Sequence, residues 1–297
     1  MEGTIIQKHR RKYTVDSNGN YYSCILRGRL FRDFKRNKNL AVVGDEVLFE
    51  VINNNEGVIT EIKERKNKLS RLSAGRPDLE QVIAANIDQL VIVSSSKEPD
   101  FKPGLVDRFI AAGEKGELEI LICINKMDLI DSGEIEKYVN LYRKIGYRIV
   151  LTSAVSGTGL ESLKKEMMGK KSIFVGQSGV GKSTIINTLQ PGLNIDVNEV
   201  SSKTGKGVHT TTSVSLYRLD FGAYVMDTPG IREFSLWDID KKSLHYYFKE
   251  FRKYINGCKY SDCVHINEPD CQIIEALKKG EIPLERYKSY RNIYSSL

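Results

Sequence analysis

No stretch of the sequence is apolar over enough residues to cross a bilayer, which excludes a helical span within it. The opening residues, MEGTIIQKHRRKY, lack the apolar core of a secretory leader. A cytoplasmic protein with no membrane partner is therefore expected. There is no internal repeat and no low-complexity tract, so stacked-repeat and fibrous architectures are excluded. Cysteines are few, five in 297 residues. In a reducing compartment they read as thiols or metal ligands rather than disulfides. What is present in ordinary measure is apolar content, 40%, enough to bury a sizeable core, and the length suggests two or three domains.

Charge is unevenly spread. The net charge is +7, and all of it belongs to the first quarter of the chain. Residues 1–76 hold sixteen Lys/Arg against nine Asp/Glu, whereas residues 77–297 hold twenty-nine of each. Basic surface attracts polyanions, phosphate backbones foremost. The same excess also fits a solubilising face.

Residues 1–68 read as five short strands, GTIIQKH, KYTV, YYSCIL, DEVLFEV and GVITEI, rich in β-branched and aromatic residues. Asn18-Gly19 between two of them is a hairpin signal, because both central turn residues want positive φ. A small barrel of the OB type is expected, with a bare β-meander as the alternative. Beyond residue 80 the texture changes. Apolar strands at 88–95, 118–124, 147–151 and 172–175 alternate with helices at 104–115, 133–145, 159–168 and from Lys182 onward. Two further strands follow at 213–219 and 223–227. Strands separated by helices imply an α/β fold with a parallel sheet covered on both faces. Residues 198–213 form a long polar loop of a length that is usually functional. The last sixty residues read as helical pieces around a cysteine cluster. The expected domains are 1–68, 69–236 and 237–297.

The chemistry-bearing signals begin with FVGQSGVGKST. Gly176, Gly181, Lys182 and Ser183 fit G-x-x-x-x-G-K-[ST] between a strand and a helix. The glycines let the backbone amides of Gln177, Ser178, Gly179 and Val180, and on to Thr184, turn around a β-phosphate. The helix N-terminus adds positive potential. Lys182 then reaches the β- and γ-oxygens, and Ser183 ligates Mg²⁺.

The second signal, Asn125-Lys126-Met127-Asp128, ends an apolar strand, the end where ligands bind in open parallel sheets. This N-K-x-D pattern is that of GTP-binding proteins. Asp128 accepts from N1–H and the 2-amino group of guanine, donors that adenine lacks, and a buried carboxylate left unpaired is costly. Asn125 braces the loop, and the Lys126 stem packs on the base. Thr152, Ser153 and Ala154 fit the short loop that offers an amide to guanine O6. Asp227, Thr228, Pro229 and Gly230 follow another strand; Asp227 is suited to holding Mg²⁺ through water, and the Gly230 amide to meeting the γ-phosphate. Thr210, Thr211 and Thr212 compete as the remaining Mg²⁺ ligand, Thr211 being preferred. The base signature precedes the phosphate loop, an order that geometry permits because strand ends must be adjacent in space rather than in sequence. A circularly permuted nucleotide-binding domain is expected.

Cys258, Cys263, His265 and Cys271 lie within fourteen residues and match a closed tetrahedral zinc site, one that supports folding rather than catalysis. Cys24 and Cys123 sit inside strands and read as small buried hydrophobes.

On the NKMD, TSA, GQSGVGKST, GVHTTT and DTPG segments together with C-x4-C-x-H-x5-C, the whole chain resembles the circularly permuted, ribosome small-subunit-dependent GTPases of bacteria. The resemblance implies an OB barrel, a permuted P-loop GTPase domain and a helical zinc module. It implies action late in maturation of the 30S subunit, binding of 16S rRNA, and slow GTP hydrolysis that the subunit stimulates. Many GTPases carry a water-orienting glutamine after D-x-x-G; here that position is Ile231, so slow intrinsic turnover is expected. His209 is the substitute, placed by the subunit ordering loop 198–213. Two readings compete: an RNA-binding scaffold using GTP as a switch ligand, and an ATPase or small-molecule kinase, against which Asp128 argues. A monomer is expected, with the segment after DTPG coupling the γ-phosphate to the zinc module.

Overall fold

The structure, a computed structural model, describes residues 1–30, 41–73, 76–131, 133–193, 214–227 and 239–297. It divides into two compact units, Met1–Leu90 with Lys164–Phe174 and Gln190–Arg232, and Val91–Leu163 with Val175–Leu189 and Glu233–Leu297. Two strands, β8 (Gln89–Ser95) and β11 (Lys171–Val175), run from the first unit into the second.

The first unit begins with β1 (Glu2–His9), β2 (Lys12–Ser17), β3 (Asn20–Leu26), β4 (Glu46–Asn53) and β5 (Glu56–Ile62). β1 pairs antiparallel with both β2 and β4, β2 with β3, and β4 with β5, while β3 and β5 are parallel. The circuit β1-β2-β3-β5-β4 closes on itself, so the OB-type barrel stands and the meander does not. Alternation drives closure: Ile5, Tyr13, Val15, Cys24, Val47, Phe49 and Ile59 fill the interior and are at most 2% exposed. Asn18 and Gly19 have φ of 54° and 89° in the β2–β3 turn, as the hairpin signal required. A second hairpin, β6 (Lys68–Ser73) with β7 (Arg76–Ala85), was not legible in the sequence.

The same unit carries β12 (Ser215–Arg218) and β13 (Tyr224–Asp227), antiparallel to each other, with β13 parallel to β11. The barrel joins this sheet directly. Gln7 of β1 lies opposite Ser215, which on its other side faces Asp227. A buried carboxylate reinforces the junction. Asp16 accepts from the Gly19 amide at 2.8 Å and from the Tyr224 hydroxyl at 3.0 Å, with Arg218 Nη1 at 3.9 Å.

The second unit holds α1 (Pro103–Lys115), β9 (Glu119–Asn125), α2 (Gly133–Ile145), β10 (Arg148–Leu151), α3 (Leu160–Met167), shared with the first unit, and α4 (Lys182–Leu189). β9 and β10 are parallel, in the order β10-β9-β8. β8 and the last six residues of β9 are buried, the continuous apolar pattern of strands covered on both faces. Cys123 lies in this layer, and burial pushes its thiol up to about 12.

The C-terminal part adds α5 (Arg252–Ile255), α6 (Gln272–Lys278) and α7 (Leu284–Ser296), packed around Leu244, Phe248, Phe251, Ile273 and Tyr290. Its α7 is fastened to α1 by a buried ionic triad. The Arg286 side chain is fully buried; it donates to Asp107 Oδ1 at 2.5 Å and Glu250 Oε1 at 2.6 Å, and its guanidinium lies 4.5 Å over the Phe248 ring. Tyr142 of α2 donates to the same Asp107 oxygen at 2.8 Å. Among the described residues no helix is long and apolar enough to cross a membrane.

Candidate functional site

The phosphate loop leaves β11 and enters α4, as the strand–loop–helix spacing predicts. Its glycines are there for room and for backbone conformation. Gly176 has φ +151° and Gly181 φ +95°; a Cβ on the first would meet the Val93 carbonyl, and on the second the Asn125 amide nitrogen. Lys182, at the first position of α4, turns its ammonium back into the loop and donates to the carbonyls of Gly176 and Gln177, both at 2.9 Å. Ser183 and Thr184 stand in the helix's first turn beside it. The Lys182 ammonium is thus held within the loop Gly176–Gly181 at a helix N-terminus, a geometry suited to an anionic group.

The base signature comes to the same place. Asn125 ends β9 and is 2% exposed. Its Nδ2 donates to the Val180 carbonyl of the phosphate loop at 2.9 Å. Its Oδ1 accepts from the Ala154 amide at 3.1 Å and the Thr152 hydroxyl at 3.3 Å. One carboxamide therefore ties its own segment to the two others, at positions 29 and 55 residues along the chain. Lys126 follows in the left-handed region at φ 62°, and Met127, Asp128 and Leu129 form a single 3-10 turn. The Met127 amide donates to the Thr152 carbonyl at 3.1 Å.

Asp128 differs from the expectation in one respect: it is exposed. One of its oxygens accepts from the Ser153 hydroxyl at 2.5 Å. Ser153 is itself buried, and its Oγ accepts from the Ser156 amide at 3.2 Å. The loop spacing points to Ser153, but its bond to Asp128 has no mark in the sequence. Of the remaining positions, Asp227 ends β13, which runs parallel to β11. His209, Thr210, Thr211, Thr212, Gly230 and Ile231 lie outside the described residues, as do residues 232–238 after DTPG.

The four C-terminal ligand candidates converge. The Sγ atoms of Cys258, Cys263 and Cys271 and a ring nitrogen of His265 all lie within 4.8 Å of one another. Cys258 Sγ is 3.9 Å from Cys271 Sγ and 3.6 Å from His265 Nδ1, which is 3.3 Å from Cys271 Sγ. A tetrahedral centre with Zn–S of about 2.3 Å sets its sulfurs roughly 3.8 Å apart, so the donor set fits such an ion. Glu268 accepts from the Val264, Ile266 and Asn267 amides at 2.8–3.0 Å and shapes the knuckle between ligands. Burial pushes the Cys263 thiol up to about 12 and His265 down to about 4. Burial disfavours the charged form of either group, which moves the two in opposite directions.

Known proteins resemble this sequence and share this fold. The family model described as "RsgA GTPase" matches residues 62–237, and that for the "RsgA N-terminal domain" matches residues 2–59. The chain is 40% identical over 290 residues to a protein of Caldanaerobacter subterraneus subsp. tengcongensis named small ribosomal subunit biogenesis GTPase RsgA, covering 98% of this chain and 93% of that one. A protein of the same name from Chlorobaculum tepidum is 44% identical over 267 residues, covering 87% and 86%. Among solved structures, YjeQ from Thermotoga maritima superposes with TM-score 0.81 at 35% identity, covering 100% of this chain and 98% of that one. YloQ, described as a circularly permuted GTPase, gives 0.79 at 32%, covering 99% and 94%.

Proposed function

Because the chain belongs to the RsgA GTPase family, and is therefore a GTP hydrolase with a circularly permuted nucleotide domain, we propose that it acts late in maturation of the small ribosomal subunit. In this reading it binds 16S rRNA, with the basic barrel region 1–68 as the main polyanion surface. It hydrolyses GTP slowly alone and faster on the 30S subunit, and it works as a cytoplasmic monomer. Residues 69–236 form the GTPase domain and 237–297 the metal-binding module.

The observation that carries the reading is the Asn125 carboxamide joined to the Val180 carbonyl. It supports one nucleotide reaching from Asp128 to the loop Gly176–Lys182. Asp128 pairs with guanine N1–H and the 2-amino group, and Lys126 lies against the base. Ser153 and Ala154 flank O6. Amides of Gln177, Ser178, Gly179, Val180 and Gly181, with Lys182 and Thr184, hold the phosphates. Ser183, Thr211 and Asp227 are the residues that would hold Mg²⁺, which would supply positive charge beside the phosphates. Gly230 meets the γ-phosphate, and His209 orients the attacking water. Zinc in the Cys258, Cys263, His265, Cys271 set supplies folding energy only, since its four protein donors leave no position for water.

Phosphate release from GTP, with and without purified 30S subunits, tests the proposal. Strong acceleration by the subunit, for GTP and not ATP, is expected. Identical release in both would instead favour a scaffold that uses GTP as a switch ligand. His209→Ala should spare GTP binding while abolishing the stimulated rate.

A further inference from the structure

The loop that leaves β8 makes contacts at the nucleotide site that no sequence motif announces. Ser96 meets the base signature twice. Its amide donates to the Asn125 carbonyl at 2.9 Å, and its hydroxyl donates to the Lys126 carbonyl at 2.6 Å. Two residues on, the Glu98 carbonyl accepts from the Lys126 ammonium. Lys126 is thus gripped at its backbone carbonyl and at the far end of its side chain by one short segment. The other side of that segment turns toward the phosphate loop. Pro99 Cδ lies 3.7 Å from where a Cβ on Gly179 would stand, and the Pro99 carbonyl accepts from the Ser95 hydroxyl at 2.5 Å.

The left-handed backbone of Lys126 explains why a grip is needed. A non-glycine residue at φ 62° sits in a sparsely populated region and persists only where its surroundings hold it. A lysine stem presented flat to a purine has many other rotamers open to it. Two anchors on one residue remove that freedom before the ligand arrives, which is preorganisation.

We propose that Ser96 is a positioning residue for the base: with the Glu98 carbonyl it fixes Lys126 as the platform on which the purine ring lies. The proposal rests on the guanine-site reading above and adds the segment 95–99 to it. In this proposal Ser96 acts through Lys126, whose carbonyl its hydroxyl holds. Its effect falls on the half of the site that meets the base and spares the half that meets phosphate.

The test compares the full chain with Ser96→Ala, Ser96→Thr and Asp128→Asn. A fluorescent guanosine diphosphate analogue is displaced by GDP and, separately, by inorganic pyrophosphate, which occupies only the phosphate half. Ser96→Ala should weaken GDP about fivefold, the equivalent of one hydrogen bond, and leave pyrophosphate within about twofold. Ser96→Thr, which keeps the hydroxyl, should restore GDP affinity. Equal weakening of GDP and pyrophosphate would mean general loosening and would overturn the proposal, as would unchanged GDP affinity in Ser96→Ala. Should Asp128→Asn leave GDP binding intact, the guanine-site reading itself falls. If that variant weakens GDP while Ser96→Ala does not, only the positioning role falls.

Discussion

The Asn125 carboxamide is the point at which the permuted site is most easily broken. In Asn125→Ala three hydrogen bonds vanish: those to the Val180 carbonyl, the Ala154 amide and the Thr152 hydroxyl. Each is worth about 1 kcal/mol net. The group is 2% exposed, so water does not replace them freely, and about 3 kcal/mol of stability should be lost. That corresponds to a fall in melting temperature of roughly 6–12 °C. Because these bonds join Asn125 to two other segments of the site, GDP affinity should fall by at least about tenfold. Asn125→Asp gives a sharper test at constant shape. It keeps an acceptor for Ala154 and Thr152 but turns a carboxylate oxygen toward the Val180 carbonyl, replacing attraction by repulsion. The introduced carboxyl therefore favours its protonated form, its folded pKa raised above the unfolded value. Its best stability lies at acid pH and is lost as pH rises through that folded pKa. Thermal denaturation at several pH values and GDP titration measure both effects. A melting temperature within about 2 °C of the parent in Asn125→Ala, with unchanged GDP affinity, would refute the bridging role.

Three other outcomes follow from the same structure. Arg286→Ala leaves Asp107 and Glu250 buried against each other and should cost about 3–5 kcal/mol; thermal denaturation showing a loss under about 1 kcal/mol would contradict the triad's role. Metal loading should release protons at pH 7.5, that of Cys263 among them. Burial holds the Cys263 thiol near 12 without an ion, and only thiolates ligate; calorimetry in two buffers of different ionisation enthalpy counts the protons. Metal affinity should accordingly fall as pH drops, and stripping the proposed ion with a chelator should expose residues 258–271 to protease while leaving the barrel protected.

How far the sequence could be read depended on whether a feature was local. The barrel strands were visible because their alternation is set by two-residue spacing, and Asn18-Gly19 marked its turn through positive φ. The phosphate loop was visible for a similar reason: Gly176 and Gly181 leave no room for a Cβ, so their spacing is written in the chain. The β6–β7 hairpin escaped because its turn carried no signal that was recognised. The Asp107–Arg286 pair, 179 positions apart, escaped because charge partners at that separation leave no periodic trace. Ser96 escaped because its contacts run mainly through backbone carbonyls, and a serine after an apolar strand looks like any loop residue.

The permuted order has a physical consequence for the barrel. In the described sheet, Asp227 faces Ser215 and Ser215 faces Gln7, so only β12 stands between a strand proposed to end at Mg²⁺ and the barrel's first strand. The Tyr224 hydroxyl, donated to buried Asp16 at 3.0 Å, pins the same junction from β13. Tyr224→Phe removes one hydrogen bond to a carboxylate and should cost about 1.5–3 kcal/mol, with the aromatic packing kept. If the junction also transmits binding at the barrel to the nucleotide, this variant should keep its unstimulated GTP turnover and its affinity for 30S subunits while losing part of the subunit's acceleration. Full acceleration, measured by phosphate release on saturating subunits, would mean the junction transmits nothing to the nucleotide. The resemblance of chain order to function would then be one of architecture alone.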